Sequence, residues 1–287
     1  MEGPCRVLRA VLYLFSMNTA YSHYYDASSL FHGSLLNIMG TRLDAVFIET
    51  DKALCELVWQ RVVAELSRLD KMFNRFDVES EIYSVNLRAA TESVIASDEL
   101  MSVLISCKRY HNLSLGLFDV TLSDFNAVNL DTEHQTISFS AKNVSIDFGA
   151  CAKGYALEKV KQMLVDANIK DALIDFGNSS VLALGHHPFG DCWKISVENP
   201  FRPGEIVDEI ELRDEALSTS GNMPTHLKHI VNPRTHQFIE DEKIVSVVTQ
   251  NSFDAEVLST ALMIANREER GKILAHFDHA SFKEYIL

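Results

Sequence analysis

The chain has 287 residues, and 26 Lys and Arg against 40 Asp and Glu leave a formal charge of −14. A composition of 47% hydrophobic and 23% charged residues belongs to a globular chain that can bury its core without disulfide or metal staples, which excludes disorder, collagen and low-complexity architectures. The acidic balance excludes a general nucleic-acid binder, which needs a basic face to neutralise phosphates, yet leaves room for a small anion at a local positive spot.

No apolar run reaches the roughly 18 residues that span a bilayer, so no transmembrane span is expected. Residues 1–35 lack a sustained period and read as a leader or surface arm. An apolar stretch over residues 10–15 follows Arg6 and Arg9, in the order of a short signal peptide, but without a clear small-x-small cleavage site. The expected compartment is therefore the cytoplasm, with the cell envelope as the alternative if residues 1–20 are a signal.

Residues 41–50 read as a strand, and Asp51 opens a long helix on which Leu54, Leu57, Val58, Val62, Leu66, Leu69 and Phe73 form an apolar face. Ser97 caps a second amphipathic helix carrying Leu100, Leu104, Cys107 and Tyr110. Short strands are predicted over 136–140 and 144–147, and a third helix starts near 149–154 and runs through Tyr155, Val160 and Leu164. Strands follow at 172–174, 181–184, 193–198 and 206–212. An apolar strand over 244–250 feeds a helix from about 252 to 265. There is no internal repeat and no linker rich in Gly, Pro or Ser. The expected fold class is α+β: one domain over 36–287, with a largely antiparallel sheet core and several long helices. The cysteines (Cys5, Cys55, Cys107, Cys151 and Cys192) are far apart and form no C-x-x-C pair, so neither a disulfide framework nor a structural zinc site is expected. Cys55 and Cys107 read as small buried hydrophobes.

Three segments carry chemistry. DFGACAKGY over 147–155 runs from strand through a small-residue turn into a helix. It reads either as a phosphate site, with helix N–H groups and Lys153 facing an anion, or as a tight connection with a solvated lysine. It has neither the Walker spacing nor the GxGxxG fingerprint. Cys151, inside it, is either a packing residue or a nucleophile. STSGN over 218–222 is followed by HIVNPRT over 229–235, which puts His229 before an Asn-Pro turn, as a proton-transfer group or as a turn histidine bonded to backbone. In DAEVLST over 254–260, Glu256 and Thr260 share one helix face and can offer oxygens to Mg²⁺, or simply suit the helix dipole and packing.

Together these segments resemble the ApbE-type flavin transferases, the FAD:protein FMN transferases. The resemblance covers most of the chain in family order: MGT at 39–41; Asp70, Phe73, Phe76, Ser80, Glu81 and Asn86; GLFDVT at 116–121; then the segments at 147–155, 220–221, 229–235 and 255–261. It implies Mg²⁺-dependent transfer of FMN from FAD to a threonine hydroxyl of an acceptor protein, with release of AMP. FAD hydrolysis to FMN and AMP, or FAD binding without turnover, are the alternatives. It also implies that Met39, Phe76, Leu117, Phe118, Asp119, Asp147, Lys153, His229 and Ile230 line the FAD site. The Ala150 carbonyl, Glu256 and Thr260 would hold Mg²⁺ with Ser259 nearby, and His229 or Asp147 would accept the hydroxyl proton. The chain departs from the family pattern in five places. Glu256 replaces an aspartate, Phe76 a tyrosine, Asn232 an aspartate and His236 a glycine, and DFGNSSV at 175–181 stands where N-x-G-G-D-I is usual. The longer arm of Glu256 is expected to shift the metal site, because Mg²⁺ demands near-ideal octahedral geometry.

Overall fold

The computed structural model describes residues 18–121, 124–224 and 230–287. In chain order the elements are β1 (Thr19–Tyr25), β2 (Leu30–Ile38), β3 (Thr41–Ile48), α1 (Lys52–Phe73), α2 (Glu81–Arg88), β4 (Val94–Ile95), α3 (Asp98–Leu113), β5 (Val128–Asp131) and β6 (Thr136–Phe139). Then come α4 (Ala152–Asp166), β7 (Asp171–Phe176), β8 (Ser180–Leu184), β9 (Trp193–Glu198), β10 (Ile206–Leu212), β11 (Glu215–Gly221), β12 (Val231–Asn232) and β13 (Gln237–Phe238). The chain ends with β14 (Lys243–Thr249), α5 (Ser252–Ile264), α6 (Arg267–Leu274) and β15 (Ser281–Ile286). Eight strands form one sheet in the order β1-β2-β3-β7-β8-β11-β14-β15, and every pairing in it is antiparallel. The α+β class with a largely antiparallel core is therefore as expected. Among the described residues no helix is long and apolar enough to cross a membrane.

The helices follow local signals. Asp51 caps α1 by accepting from Leu54 N at 3.0 Å, and Ser97 caps α3 by accepting from Leu100 N at 3.2 Å. Leu57, expected on the apolar face of α1, is exposed, and Trp59 takes a buried position instead. Helix α5 is buried almost all round, through Phe253, Ala255, Val257, Leu258, Ala261 and Leu262. It lies between the sheet at β11 and β14 and helix α4. Its polar residues Glu256 and Ser259 are thereby carried into the interior. The other sheet face carries a smaller core, in which Trp193, Val197, Ile210 and Leu212 of the β9-β10 hairpin pack on Val181, Leu217 and Ile244.

Two further expectations are corrected. Residues 19–35 are not an arm: they form β1 and most of β2, in register from Thr19↔Leu36 to Tyr25↔Leu30, with Phe31 and Leu35 in the core. The alternation of β2 is broken in sequence by Gly33, which faces inward. A methyl there would lie 2.8 Å from the Trp59 ring, so the indole of α1 lies against bare backbone where strand alternation calls for an apolar side chain. Residues 144–147 are not a strand. The Asn86 amide brackets Ile146, donating to its carbonyl at 2.8 Å and accepting from its N–H at 2.7 Å, and Asp147 N donates to Val120 O at 2.7 Å. A side chain thus replaces the ladder neighbour that a strand would need.

Helices α4 and α5 meet where Gly154 faces Ser252: a methyl on Gly154 would stand 2.5 Å from the Ser252 carbonyl oxygen and 3.0 Å from Glu256 Cγ. Gly154→Ala should lower stability by about 1–3 kcal/mol through overpacking, read as a shift in thermal unfolding. The last strand is tied down by Glu284, which accepts from Arg270 Nη1 at 2.9 Å and Nη2 at 2.6 Å, with Lys243 Nζ at 3.4 Å. These cations hold the Glu284 carboxyl down at about 2 against an ordinary 4.5. A depressed carboxyl contributes stability above its unfolded value and loses it as pH falls toward the folded one. Glu284→Gln should therefore cost about 2 kcal/mol at neutral pH. The gap to the wild type should close between pH 4.5 and about 2, measured by urea unfolding across that range.

Candidate functional site

The α4–α5 junction opens into a cavity of about 370 Å³, within the size range of small-molecule clefts. Its walls bring together Leu117, Phe118, Asp119, Asp147, Gly149, Ala150, Lys153, Ile230, Glu256, Ser259 and Thr260. They also include Ser218, Ser220 and Pro233, from the segments at 218–222 and 229–235, and two residues outside every segment singled out for chemistry, Ser179 and Met223. Met39 and Phe76 are not among the lining residues. Met39 packs half-buried against the core with φ +46°. Phe76 is 78% exposed, with the Arg75 guanidinium 4.8 Å from its ring centroid, and Arg75 Nε in turn lies 3.2 Å from Asp147 Oδ2. The Phe76 ring is thus connected to the cavity wall through Arg75. His229 lies outside the described residues.

Glu256 is the centre of the polar wall. It is 3% exposed, and its carboxylate is engaged on both oxygens. Oε1 accepts from Lys153 Nζ at 2.9 Å and from the Ser180 hydroxyl, and Oε2 accepts from Gly154 N at 3.1 Å. A buried carboxylate is tolerated only with such partners. Three amides of this turn are likewise already bonded within the protein. The N–H groups of Cys151 and Ala152 are given to Phe148 O, each at 2.8 Å, and that of Gly154 to Glu256. The positive group of the turn is the Lys153 side chain. Ser180, fully buried at the start of β8, escaped the sequence reading because it sits in the segment that departs from the family pattern. There Gly177 and Asn178, with φ +72° and +60°, make the tight turn from β7 into β8 that sets Ser180 against Glu256.

Hydroxyls continue this wall. Ser218 and Ser220 share one face of β11, two residues apart, and their Oγ atoms lie 2.9 and 2.8 Å from Ser259 Oγ, with Thr260 Oγ1 3.5 Å from Ser220 Oγ. Thr219, on the alternate face, pairs with Ser246 of β14 at 2.8 Å. Asp254 faces away, accepting from the Tyr110 hydroxyl at 2.6 Å.

The opposite wall is loop held by side chains. Asp119 accepts from Thr121 N at 2.7 Å, Thr121 Oγ1 at 2.6 Å and Phe125 N at 2.9 Å, which seats Leu117 and Phe118. The hairpin after Ile230 closes with Asn232 Oδ1 accepting from Arg234 N at 3.0 Å and His236 at φ +55°, in the left-handed region that favours glycine. Arg234 staples that hairpin to Leu115 O at 2.6 Å and Glu269 at 2.5 Å. Asp147 accepts from Gly149 N at 2.9 Å as well as facing Arg75. Burial beside Cys107 pushes the Cys151 thiol well above its ordinary range, which suits packing and disfavours the thiolate that a nucleophile requires.

The donor set suits magnesium. Glu256 has a carboxylate, Thr260 a hydroxyl and Ala150 a backbone carbonyl, hard oxygens of the kind Mg²⁺ takes, on three residues that line one cavity. Mg²⁺ is ordinarily held by one or two carboxylates, with waters and substrate phosphates completing its shell. Among the described residues no group of three His, Cys, Asp or Glu forms an all-protein cage, so phosphate oxygens would have to complete any such site. Removing the Ser180 hydroxyl leaves the buried carboxylate short of a donor. Ser180→Ala should cost about 1–3 kcal/mol in chemical denaturation, while Ser180→Thr, which keeps the hydroxyl donor, should recover most of that loss.

The sequence pattern of the ApbE family matches residues 39–128 and 121–282. An FAD:protein FMN transferase of Rhodobacter capsulatus is 34% identical over 148 residues, covering 49% of this chain and 28% of that protein. One of Vibrio cholerae is 24% identical over 278 residues, covering 83% of this chain and 82% of its own length. The crystal structure of the ApbE protein from Thermotoga maritima superposes with a TM-score of 0.75 at 19% identity, over 93% of each chain, and so shares the fold. With its pattern matched from Met39 nearly to the C-terminus, and the elements of that fold present in order, this chain belongs to the ApbE family.

Proposed function

We propose that this chain is an FAD:protein FMN transferase that uses Mg²⁺ to move FMN from FAD onto a threonine hydroxyl of an acceptor protein, releasing AMP. Family membership and the names of the relatives support the reaction class. The observation that carries the reading is the meeting of Lys153 and Glu256 at 2.9 Å, on a cavity wall shared with Thr260.

Transfer at phosphorus needs positioning and charge neutralisation more than covalent help. Lys153 supplies the positive charge for the diphosphate, and the hydroxyls of Ser220 and Thr260 are placed to donate to its oxygens. Glu256, Thr260 and the Ala150 carbonyl would hold Mg²⁺, with Ser259 beside them, and the ion would offset the charge that builds on the departing AMP. Leu117, Phe118 and Ile230 offer an apolar wall to a ring of the dinucleotide, and Phe76, outside the cavity, offers an exposed aromatic face for stacking. Both Asp147 oxygens are engaged, by Arg75 and by the Gly149 N–H, which suits Asp147 to orienting the site. His229, the sequence neighbour of Ile230, is the proposed base. It takes the proton as the threonine oxygen bonds to the FMN phosphorus and the bond to AMP breaks.

Purified protein incubated with FAD, Mg²⁺ and a threonine-bearing acceptor should release AMP and leave the acceptor heavier by FMN, read by chromatography and mass spectrometry. AMP released equally without acceptor would assign water as the acceptor instead. Bound FAD without AMP under any condition would overturn turnover altogether. Thr260→Ala and Glu256→Gln should each reduce Mg²⁺-dependent turnover by about 100-fold or more, and unchanged rates would refute the metal assignment.

A further inference from the structure

Among the described residues that line the cavity, Lys153 has the one cationic side chain, and it is bonded to the carboxylate assigned to the metal. We propose that Lys153 is an exchangeable counter-cation: a divalent ion binding to Glu256 displaces it, the freed lysine pairs with the diphosphate of FAD, and metal and FAD therefore bind cooperatively. This rests on the reading above that metal and diphosphate meet at this site.

The geometry sets up a competition. Glu256 Oε1 already receives two donors, Lys153 Nζ and the Ser180 hydroxyl, while Oε2 receives the Gly154 N–H. The two charged side chains are 20% and 4% exposed, so water screens little between them. A dication on the same carboxylate would stand against an ammonium at close range, and like charges in a dry site repel strongly. The lysine can leave, because four rotatable bonds carry its ammonium and the cavity lies beside it. The carboxylate need not follow, because Gly154 N–H and the Ser180 hydroxyl hold it in place from the protein side.

Cooperativity follows from where each charge ends. Metal alone leaves the lysine beside a dication without a partner. FAD alone meets a lysine already neutralised by Glu256. With both ligands present, the metal has the carboxylate and the diphosphate has the lysine, so each ligand raises the affinity of the other by the same factor. Arg234 and Arg75 cannot take over this role without breaking their own contacts, with Glu269 and Leu115 O and with Asp147 respectively.

The test uses the full chain with acceptor omitted. Mn²⁺ affinity is measured by the electron paramagnetic resonance of the free ion, and FAD affinity by flavin fluorescence in EDTA and in Mg²⁺. Lys153→Met should bind Mn²⁺ about tenfold more tightly than the wild type, because its competitor is gone. FAD binding should be weaker in the variant, and the gain in FAD affinity on adding Mg²⁺ should shrink relative to the wild type. Lys153→Gln, which keeps a donor near Glu256, guards against loss of folding and should move in the same direction. If neither variant gains Mn²⁺ affinity while Glu256→Gln loses it, the exchange is wrong and the metal site stands. If Glu256→Gln binds Mn²⁺ like the wild type, the metal assignment falls and the exchange with it.

Discussion

A carboxylate buried between two helices dictates much of what surrounds it. Glu256 sits on a helix that is apolar on almost every side, and its charge must be met inside the protein or not at all. Three elements converge to meet it: the N-terminus of α4 through Gly154 N–H and Lys153, the start of β8 through Ser180, and α5 itself. The close approach depends on Gly154 having no side chain, since any Cβ there would collide with the backbone of Ser252. The same contact places a cation and an anion side by side at the cavity wall. A requirement of folding and a resource for phosphate chemistry are therefore one arrangement.

The rest of the site is assembled by side chains that substitute for regular secondary structure. Asn86 brackets Ile146 as a neighbouring strand would, Asp119 gathers the loop that carries Leu117 and Phe118, and Arg234 fastens the Ile230 hairpin to α6 and to Leu115. Each is a polar side chain bonded to backbone or to a charge across a long sequence interval or within one tight loop. Such bonds let irregular backbone line a cavity without leaving amides unpaired. They also explain why several residues of the family motifs serve architecture: Asn86, Asp119 and Arg234 make most of their contacts with protein.

The polar wall of the cavity is unusually rich in hydroxyls. Ser218, Ser220, Ser259 and Thr260 form a connected set in which each oxygen can donate or accept. A set of this kind can reorient its protons toward a ligand without moving heavy atoms. Beside Lys153 and Glu256, it suits a substrate whose charge is spread over several phosphate oxygens. The acidic net charge of the chain does not oppose this, because the field at the site is set by the nearest groups and distant surface charges are screened.

Much of the fold was legible in the sequence because local signals and tertiary demands agree. The caps at Asp51 and Ser97, the apolar period of α1 and α3, and the apolar strand-to-helix run at β14–α5 are all read from neighbours within a few residues. The motifs carrying Asp119, Asp147, Lys153, Ile230, Glu256 and Thr260 were likewise recognisable by residue type and order. What escaped depends on groups far apart in the chain. Strand β2 hides its alternation at Gly33 because Trp59 fills that place, and 144–147 lacks a strand partner because Asn86 supplies the bonds. Ser180 gains its importance only from a glutamate 76 residues away. By itself, then, the sequence determined the class of fold, its main helices and the set of residue types available for phosphate chemistry, since these follow from short-range periodicity and motif order. Only the tertiary structure decided which oxygens and amides are already spent on one another, and that Met39 and Phe76 lie outside the cavity lining, because such pairings depend on distances that no spacing along the chain encodes.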